Sequence, residues 1–374
     1  MSDKDSLPAD AAQAMTEKLG TIRNRIDTID TQILKLLSER ANCAEEVAVT
    51  KRAAGEKDIK FYRPEREAQI LRRVSEINPG PLENQKVTAI FREIISSCLA
   101  LEQKIKVAYL GPAGTFTEAA ARKHFGTAVS TVPFTLIPEV FRQIEAGTAD
   151  YGVVPIENST GGIISHTLDR FVNSPLKICG EIHLAIHQNL MSKSRNMSGI
   201  TRIYSHEQSL MQCRDWLDRN YPDLARIAVA SNAEAARLAA QDSTAAAIAG
   251  ENAARLYDLG IVSPHIEDSP NNVTRFLVIG KEDVPESGND RTSILISTRN
   301  RSGALYHLLE PLMRHGLDMT RIESRPAPDT HWDYCFFMDL NGHVSNDAMQ
   351  LALKELENES EYVRVLGSYA KAIL

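Results

Sequence analysis

Between Leu19 and Val47 apolar residues return at steps of three and four, through Ile22, Ile26, Ile29, Ile33, Leu36 and Cys43. No other stretch constrains the fold as much. The repeat is that of a helix packed along one side. Extended from Lys18 towards Lys51, it would run to roughly 50 Å at about 1.5 Å per residue. A rod of that length exceeds the width of a small domain, so the spacing predicts packing along a second copy and hence a dimer. One position breaks the seam: Arg40 falls between Leu36 and Cys43, where an apolar side chain is expected. A guanidinium in a packed seam is costly unless paired, so an internal carboxylate or an anionic ligand must meet it. Lys51 follows three turns later on the same face, and the two cations can converge on one small ligand. Arg23 lies roughly 25 Å from Arg40 along the helix, beyond reach of that ligand within one chain. In an antiparallel pair, Arg23 of one copy would reach the Arg40 site of the other.

The helical texture continues to Gln103. The segment FYRPEREAQIL puts Arg63, Arg66 and Glu67 near the start of a second helix. A third, from about Leu82, carries Val87, Phe91, Ile94, Cys98 and Glu102 on one stripe, turning a carboxyl inward. This zone resembles the all-helical chorismate mutase domain at the N-terminus of bacterial bifunctional enzymes. The resemblance implies a pericyclic rearrangement that needs no nucleophile, metal or cofactor, only cations and donors that fold the substrate and neutralise charge as the ether bond breaks. It assigns Arg23 of the partner chain and Arg40 to the substrate carboxylates, Lys51 to the ether oxygen and a carboxylate, and Glu67 to the hydroxyl, with Arg63, Arg66 and Cys98 nearby. Arg63 stands where the family often has an acidic residue, Cys98 where serine is common, and Glu102 where many members have glutamine. Only a protonated Glu102 can donate to the ether oxygen. Burial raises a carboxyl pKa and the cations lower it, and the sequence leaves the balance open.

From Lys104 to Gly280 short β-rich runs alternate with helical patterns, beginning KIKVAYLGPAGTFTEAA, which predicts a mainly parallel α/β sheet with helical crossovers. GPAGTF lacks both GxGxxG and GK[ST], so it is a weak nucleotide loop. Thr115 and Glu118 form a capping box, which either ends a helix structurally or frees N–H groups to hold a carboxylate. GVVPIENSTGG, IYSHEQSLMQC and NNVTRF resemble the signature stretches of prephenate dehydratase. The resemblance implies a two-lobed, periplasmic-binding-protein-like fold around a cleft. It implies Thr274 as donor to the departing hydroxyl, and Glu157 as a residue that can complete its network. Arg275 would bind a carboxylate or brace the cleft. Thr115, Asn158, Ser159, Thr160, Ser205, His206, Gln208 and Phe276 would line or bind. His206 has no Cys/His cluster at ligand spacing, so it is read as a hydrogen-bonded loop histidine and no metal is expected.

After a charged linker, Lys281–Arg291, the order β-α-β-β-α-β points to a ferredoxin-like module. NRSGALYHLL and IESRP within it resemble the phenylalanine-binding ACT domain. That likeness implies an effector pocket from Asn300, Gly303, Ala304, Leu305, Glu323, Ser324 and Arg325. The expected organisation is therefore multidomain: a disordered segment over 1–17, an all-α mutase domain over 18–103, an α/β dehydratase domain over 104–281 and an α+β ACT domain over 291–374.

A net charge of −7 argues against a general nucleic-acid surface. The polar start and the lack of a long apolar run predict a cytoplasmic protein with no membrane partner. Five widely spaced cysteines fit reduced, mostly packed thiols. The implied small molecules are chorismate, prephenate and phenylalanine, with no cofactor, and the implied partner is a second copy in a dimer or tetramer. Two alternatives stay open: a non-catalytic amino-acid sensor, which would have no use for Arg40 or Lys51, and a dehydratase that also accepts arogenate.

Overall fold

The computed structural model describes residues 9–53, 61–298, 301–326 and 334–373. The chain forms two compact units, one of residues 1–61 and 97–103, the other of residues 62–96 and 104–374. The first unit is dominated by α1 (Ala9–Ala53). This helix begins inside the segment expected to be disordered, because Ala, Met, Glu and Lys after Ala9 are strong helix formers. Its seam is laid out as the spacing predicts, and it is bare: Ile22, Ile26 and Ile33 are about half exposed, at 47%, 50% and 49%.

In the second unit, α2 (Pro64–Ile77) starts on Pro64, whose fixed φ suits a first turn. The helix α3 (Asn84–Glu102) follows. The first lobe holds β1 (Lys106–Leu110), α4 (Phe116–Phe125), β2 (Ser130–Phe134), α5 (Ile137–Glu145), β3 (Tyr151–Asn158), β4 (Gly162–Ile163), α6 (Ser165–Asn173) and β5 (Lys177–Ala185). The second lobe holds β6 (Asn189–Ser192), β7 (Arg202–His206), α7 (Glu207–Gln212), α8 (Arg214–Asn220), β8 (Ala225–Val229), α9 (Asn232–Gln241), β9 (Ala245–Ala249), α10 (Glu251–Leu256) and β10 (Gly260–Ser263). The chain then returns to the first lobe as β11 (Val273–Gly280).

That return alters the expected topology. The first-lobe order is β2-β1-β3-β11-β5, with β11 antiparallel to both neighbours. The second is β10-β6-β9-β7-β8, with β6 antiparallel to β9 and to β10. Both sheets are mixed rather than mainly parallel, because strands that cross between lobes enter against the direction set by the βαβ units. Four of the five cysteines are buried and all are free thiols.

The C-terminal module comprises β12 (Asp290–Thr298), α11 (Ala304–Arg314), β13 (Met319–Pro326), β14 (Tyr334–Asn341), α12 (Asp347–Glu359) and β15 (Tyr362–Ala370). Its antiparallel order, β13-β14-β12-β15, is the ferredoxin-like arrangement expected. One face packs its own helices through Leu308, Leu312, Met349 and Leu356. The other face shares a core with the first lobe, where Leu295, Phe337 and Tyr369 join Ile156, Ile178 and Leu277. A Cβ on Gly367 would lie 2.2 Å from the Ile178 carbonyl oxygen, so this contact requires glycine. The segment read as a linker is pinned, since Ser287 donates to the buried Asp290 at 2.6 Å.

Candidate active sites

The cleft residues come from strand ends and the loops that follow them, where open α/β sheets present their crevices. Thr274 on β11 is register partner to Asn158 on β3. Asn158 Nδ2 donates to Thr274 Oγ1 at 2.8 Å and to Asn272 Oδ1 at 2.7 Å, and all three residues are buried. With its lone pair engaged by that amide, the Thr274 hydroxyl has its own proton left to give. Asn158 Oδ1 accepts from the Thr160 and Gly161 amides at 3.1 and 2.7 Å, which fixes the loop. Ser159 Oγ bonds the backbone of Asn271 and Val273, closing the strand pair.

The second lobe reaches the same place. Gln212 Oε1 accepts from Asn272 Nδ2 at 3.1 Å. A Cβ added to Gly161 would fall 2.0 Å from Gln208 Nε2, so the Gln208 amide lies against the first-lobe loop. His206 caps α7, its Nδ1 accepting from the Gln208 amide. It ends β7 and is held by that hydrogen bond. Ser205 is fully buried and bonds the Ile248 carbonyl. Thr115 caps α4 by accepting from the Glu118 amide, while the Glu118 carboxylate takes the Gly114 amide and Arg122. The capping box is thus displaced by one residue on its return arm.

Two cleft assignments fall elsewhere. Arg275 alternates to the opposite sheet face and is engaged by Glu181, Asp339 and Tyr369. These partners brace it against the C-terminal module. Glu157 faces Arg321 at 3.4 Å, so Asn158 and Asn272, rather than Glu157, complete the network of Thr274. Phe276 is buried at 2% exposure and supports the strand from within.

In the helical unit, Glu102 feels the charges of Lys51, Arg40 and Arg52. Burial outweighs them and raises its pKa. Arg52 donates to the Glu102 carbonyl at 2.9 Å, and Lys51 stands 5.3 Å from the centre of the Phe61 ring. Arg40 and Lys51 are half-buried, Cys98 is buried, and Arg23 is exposed. In the second unit, Glu67 lies 3.8 Å from Arg92, and burial pushes its carboxyl up to about 7 against that cation. Arg63 pairs with Glu65 and Arg66 is exposed.

In the C-terminal module, Gly303 adopts φ 80 at the N-terminus of α11, a left-handed conformation that favours glycine. Ala304 is half-buried and Leu305 exposed beside it. Glu323, Ser324 and Arg325 end β13, and Arg325 is held by Asp169 at 2.8 Å and by Ser165 at 2.9 Å on α6. Asn300 lies outside the described residues.

Comparison with known proteins matches these regions one by one. Residues 22–103 match the family of chorismate mutase type II, residues 107–284 prephenate dehydratase and residues 292–358 the ACT domain. A bifunctional chorismate mutase/prephenate dehydratase of Pseudomonas aeruginosa is 51% identical over 96% of this chain and 99% of its own length. The chain belongs to the bifunctional chorismate mutase/prephenate dehydratase family. The Escherichia coli K12 member is 32% identical over 93% of this chain and 95% of its own. A prephenate dehydratase of Arthrobacter aurescens, solved in complex with L-phenylalanine, is 33% identical with a TM-score of 0.67, covering 72% of this chain and 90% of that one. Both enzymes therefore reside in one polypeptide.

For a bifunctional mutase/dehydratase, the residues sequence reasoning missed are instructive. Asn272 stands inside NNVTRF, two residues before Thr274. Its signal was the Asn pair ahead of a strand. Gln212 stands inside IYSHEQSLMQC, whereas Arg52 and Arg92 carry no signal, since each is a charged residue at ordinary helical spacing and acquires a partner only in three dimensions.

Proposed function

We propose that this chain rearranges chorismate to prephenate in its helical domain and converts prephenate to phenylpyruvate in its two-lobed cleft. In the first reaction Arg40 and Lys51, with Arg23 of a second copy, neutralise the carboxylates and the charge developing on the ether oxygen. Protonated Glu102 donates to that oxygen. No bond to the protein forms.

In the second reaction the ring carboxylate leaves as carbon dioxide, and the electrons of that bond aromatise the ring as the hydroxyl departs as water. The cleft need only assist departure. Thr274 is a feeble acid by itself, so it acts as an oriented donor within a network. The observation that carries this reading is the bond from the Asn158 amide to Thr274 Oγ1, which leaves the threonine proton directed elsewhere. The N-terminus of α4, capped by Thr115, is suited to hold a substrate carboxylate, with Ser159, Thr160, Ser205, His206 and Gln208 around the ligand.

Phenylalanine is the proposed effector, held around Gly303, Ala304 and Leu305 and the Glu323–Arg325 strand end. It inhibits by favouring a low-activity arrangement. The bare seam of α1 supports a homodimer in which the mutase sites are shared. The enzyme is proposed to work in the cytoplasm, and no helix among the described residues is long and apolar enough to cross a membrane. Purified enzyme fed chorismate should accumulate phenylpyruvate by way of prephenate, and less of it when phenylalanine is present. If chorismate and prephenate are both left untouched, the proposal fails.

A further inference from the structure

The residues next in sequence to the Thr274–Asn158 pair turn to the far side of the sheet, because side chains alternate along a strand. Arg275 follows Thr274, Glu157 precedes Asn158, and the two are register partners. Each is met by a charge from the C-terminal module. Arg275 donates from Nε to Glu181 at 2.9 Å, from Nη1 to Asp339 on β14 at 2.5 Å and from Nη2 to Tyr369 on β15 at 3.0 Å. Ser293 on β12 joins the last two, bonding Asp339 at 2.5 Å and Tyr369 at 2.7 Å, and Arg291 adds a second cation on Glu181. Burial works against the charge on Arg275, yet Tyr369, Asp339 and Glu181 hold its pKa above the usual value. Glu157 meets Arg321 on β13 at 3.4 Å.

Arg321 Nη2 is buried with no hydrogen-bond partner among the described residues, and Nε is met only by the ion pair to Glu157. Unmet buried donors of a guanidinium are costly and call for an explanation. The same side chain lines a cavity of about 20 Å³, room for about one water, together with Arg275, Ser293 and Asp339. Arg321 therefore has an unmet buried donor and room for about one water beside it.

We infer that the C-terminal module positions the catalytic threonine through two charge clasps, Asp339–Arg275 on β11 and Arg321–Glu157 on β3. This rests on the prephenate dehydratase reading of the cleft. The apolar core shared by module and lobe suffices to hold them together. A buried ion cluster adds little adhesion that apolar residues would not match. It does fix register, and it does so one residue from the atoms that matter: the bond between Asn158 and Thr274 spans the same two strands that the clasps grip. Displacement of β13 or β14 is passed to that bond over a single peptide unit. Arg275, Glu157, Arg321 and Asp339 are accordingly positioning residues, acting on turnover more than on substrate affinity.

The test is steady-state kinetics of the full chain on prephenate, with Arg321→Met, Arg321→Lys and Asp339→Asn beside wild type. Arg321→Met should lower kcat for phenylpyruvate about tenfold, with KM within about twofold, because small misplacements of a reacting group cost that much or more. Arg321→Lys should recover part of the loss by restoring a cation to Glu157. Asp339→Asn, which keeps shape, should lower kcat in the same direction. Mutase turnover of chorismate should be unchanged throughout. An unchanged kcat in both Arg321→Met and Asp339→Asn overturns the inference. So does a loss that Arg321→Lys does not relieve and that follows the fall in Tm, since that is the mark of a structural role. Wild type separates the two levels: if it leaves prephenate untouched the cleft reading itself is wrong, whereas active wild type with undiminished variants removes only the clasps.

Discussion

The dehydratase cleft and the mutase helix solve the problem of a small dianionic substrate in opposite ways. The cleft is assembled from buried, neutral groups, with Asn158, Asn272 and Thr274 bonded to one another and Gln212 and Gln208 arriving from the second lobe. The helix offers half-buried cations around one carboxyl, and its Arg23 stands exposed far from them. Neutral amides can be sealed inside a folded lobe because each satisfies its neighbour. Cations cannot be sealed in the same way unless an anion is enclosed with them. On the proposed dimer, substrate and a second chain would complete the mutase site, while one chain would complete its cleft alone.

The strongest challenge to this contrast is Thr274→Ala. It should reduce phenylpyruvate formation by about 10³-fold or more, as expected for losing an oriented proton donor, and leave mutase conversion nearly intact. Equal loss of both activities would contradict the partition. A smaller effect sharpens the electrostatic side. Burial raises the Glu102 pKa, so its donating, protonated form persists to higher pH than in a free glutamate and is lost as pH rises through the shifted value. Mutase turnover should decline with rising pH, and Glu102→Gln should flatten the profile. An unaltered profile in that variant would remove Glu102 from donation. Smallest in basal rate is Arg325→Ala. It breaks a partly exposed pair with Asp169 that contributes little stability. Turnover without phenylalanine should change less than about twofold, with feedback sensitivity lost. Full inhibition of the variant would argue against Arg325 as an effector residue.

The sequence carried more of the architecture than of the sites. Apolar spacing located the long helix, and the β-α-β-β-α-β order located the ferredoxin-like module, because both depend on local periodicity. The mixed sheets were not legible, since β11 pairs with β3 and β5 only after an excursion through a whole second lobe. Site residues followed the same division. Thr274, Asn158 and His206 stand in short motifs at strand ends, where a single sequence displays them. Arg275 and Glu157 stand in the same motifs, but strand alternation turns them to the other face. Nothing in one sequence says that a second domain waits there with Asp339 and Arg321.

Complementation between inactive variants tests the contrast most directly. Arg23→Ala and Arg40→Ala should each be nearly devoid of mutase activity. Mixed in equal amounts and allowed to exchange subunits, they should regain about a quarter of wild-type turnover, because half the dimers are mixed and each of those holds one intact site. Asn158→Ala mixed with Thr274→Ala should regain no dehydratase activity, both residues belonging to one cleft of one chain. A mutase pair that stays silent on mixing, or a dehydratase pair that revives, would contradict the account.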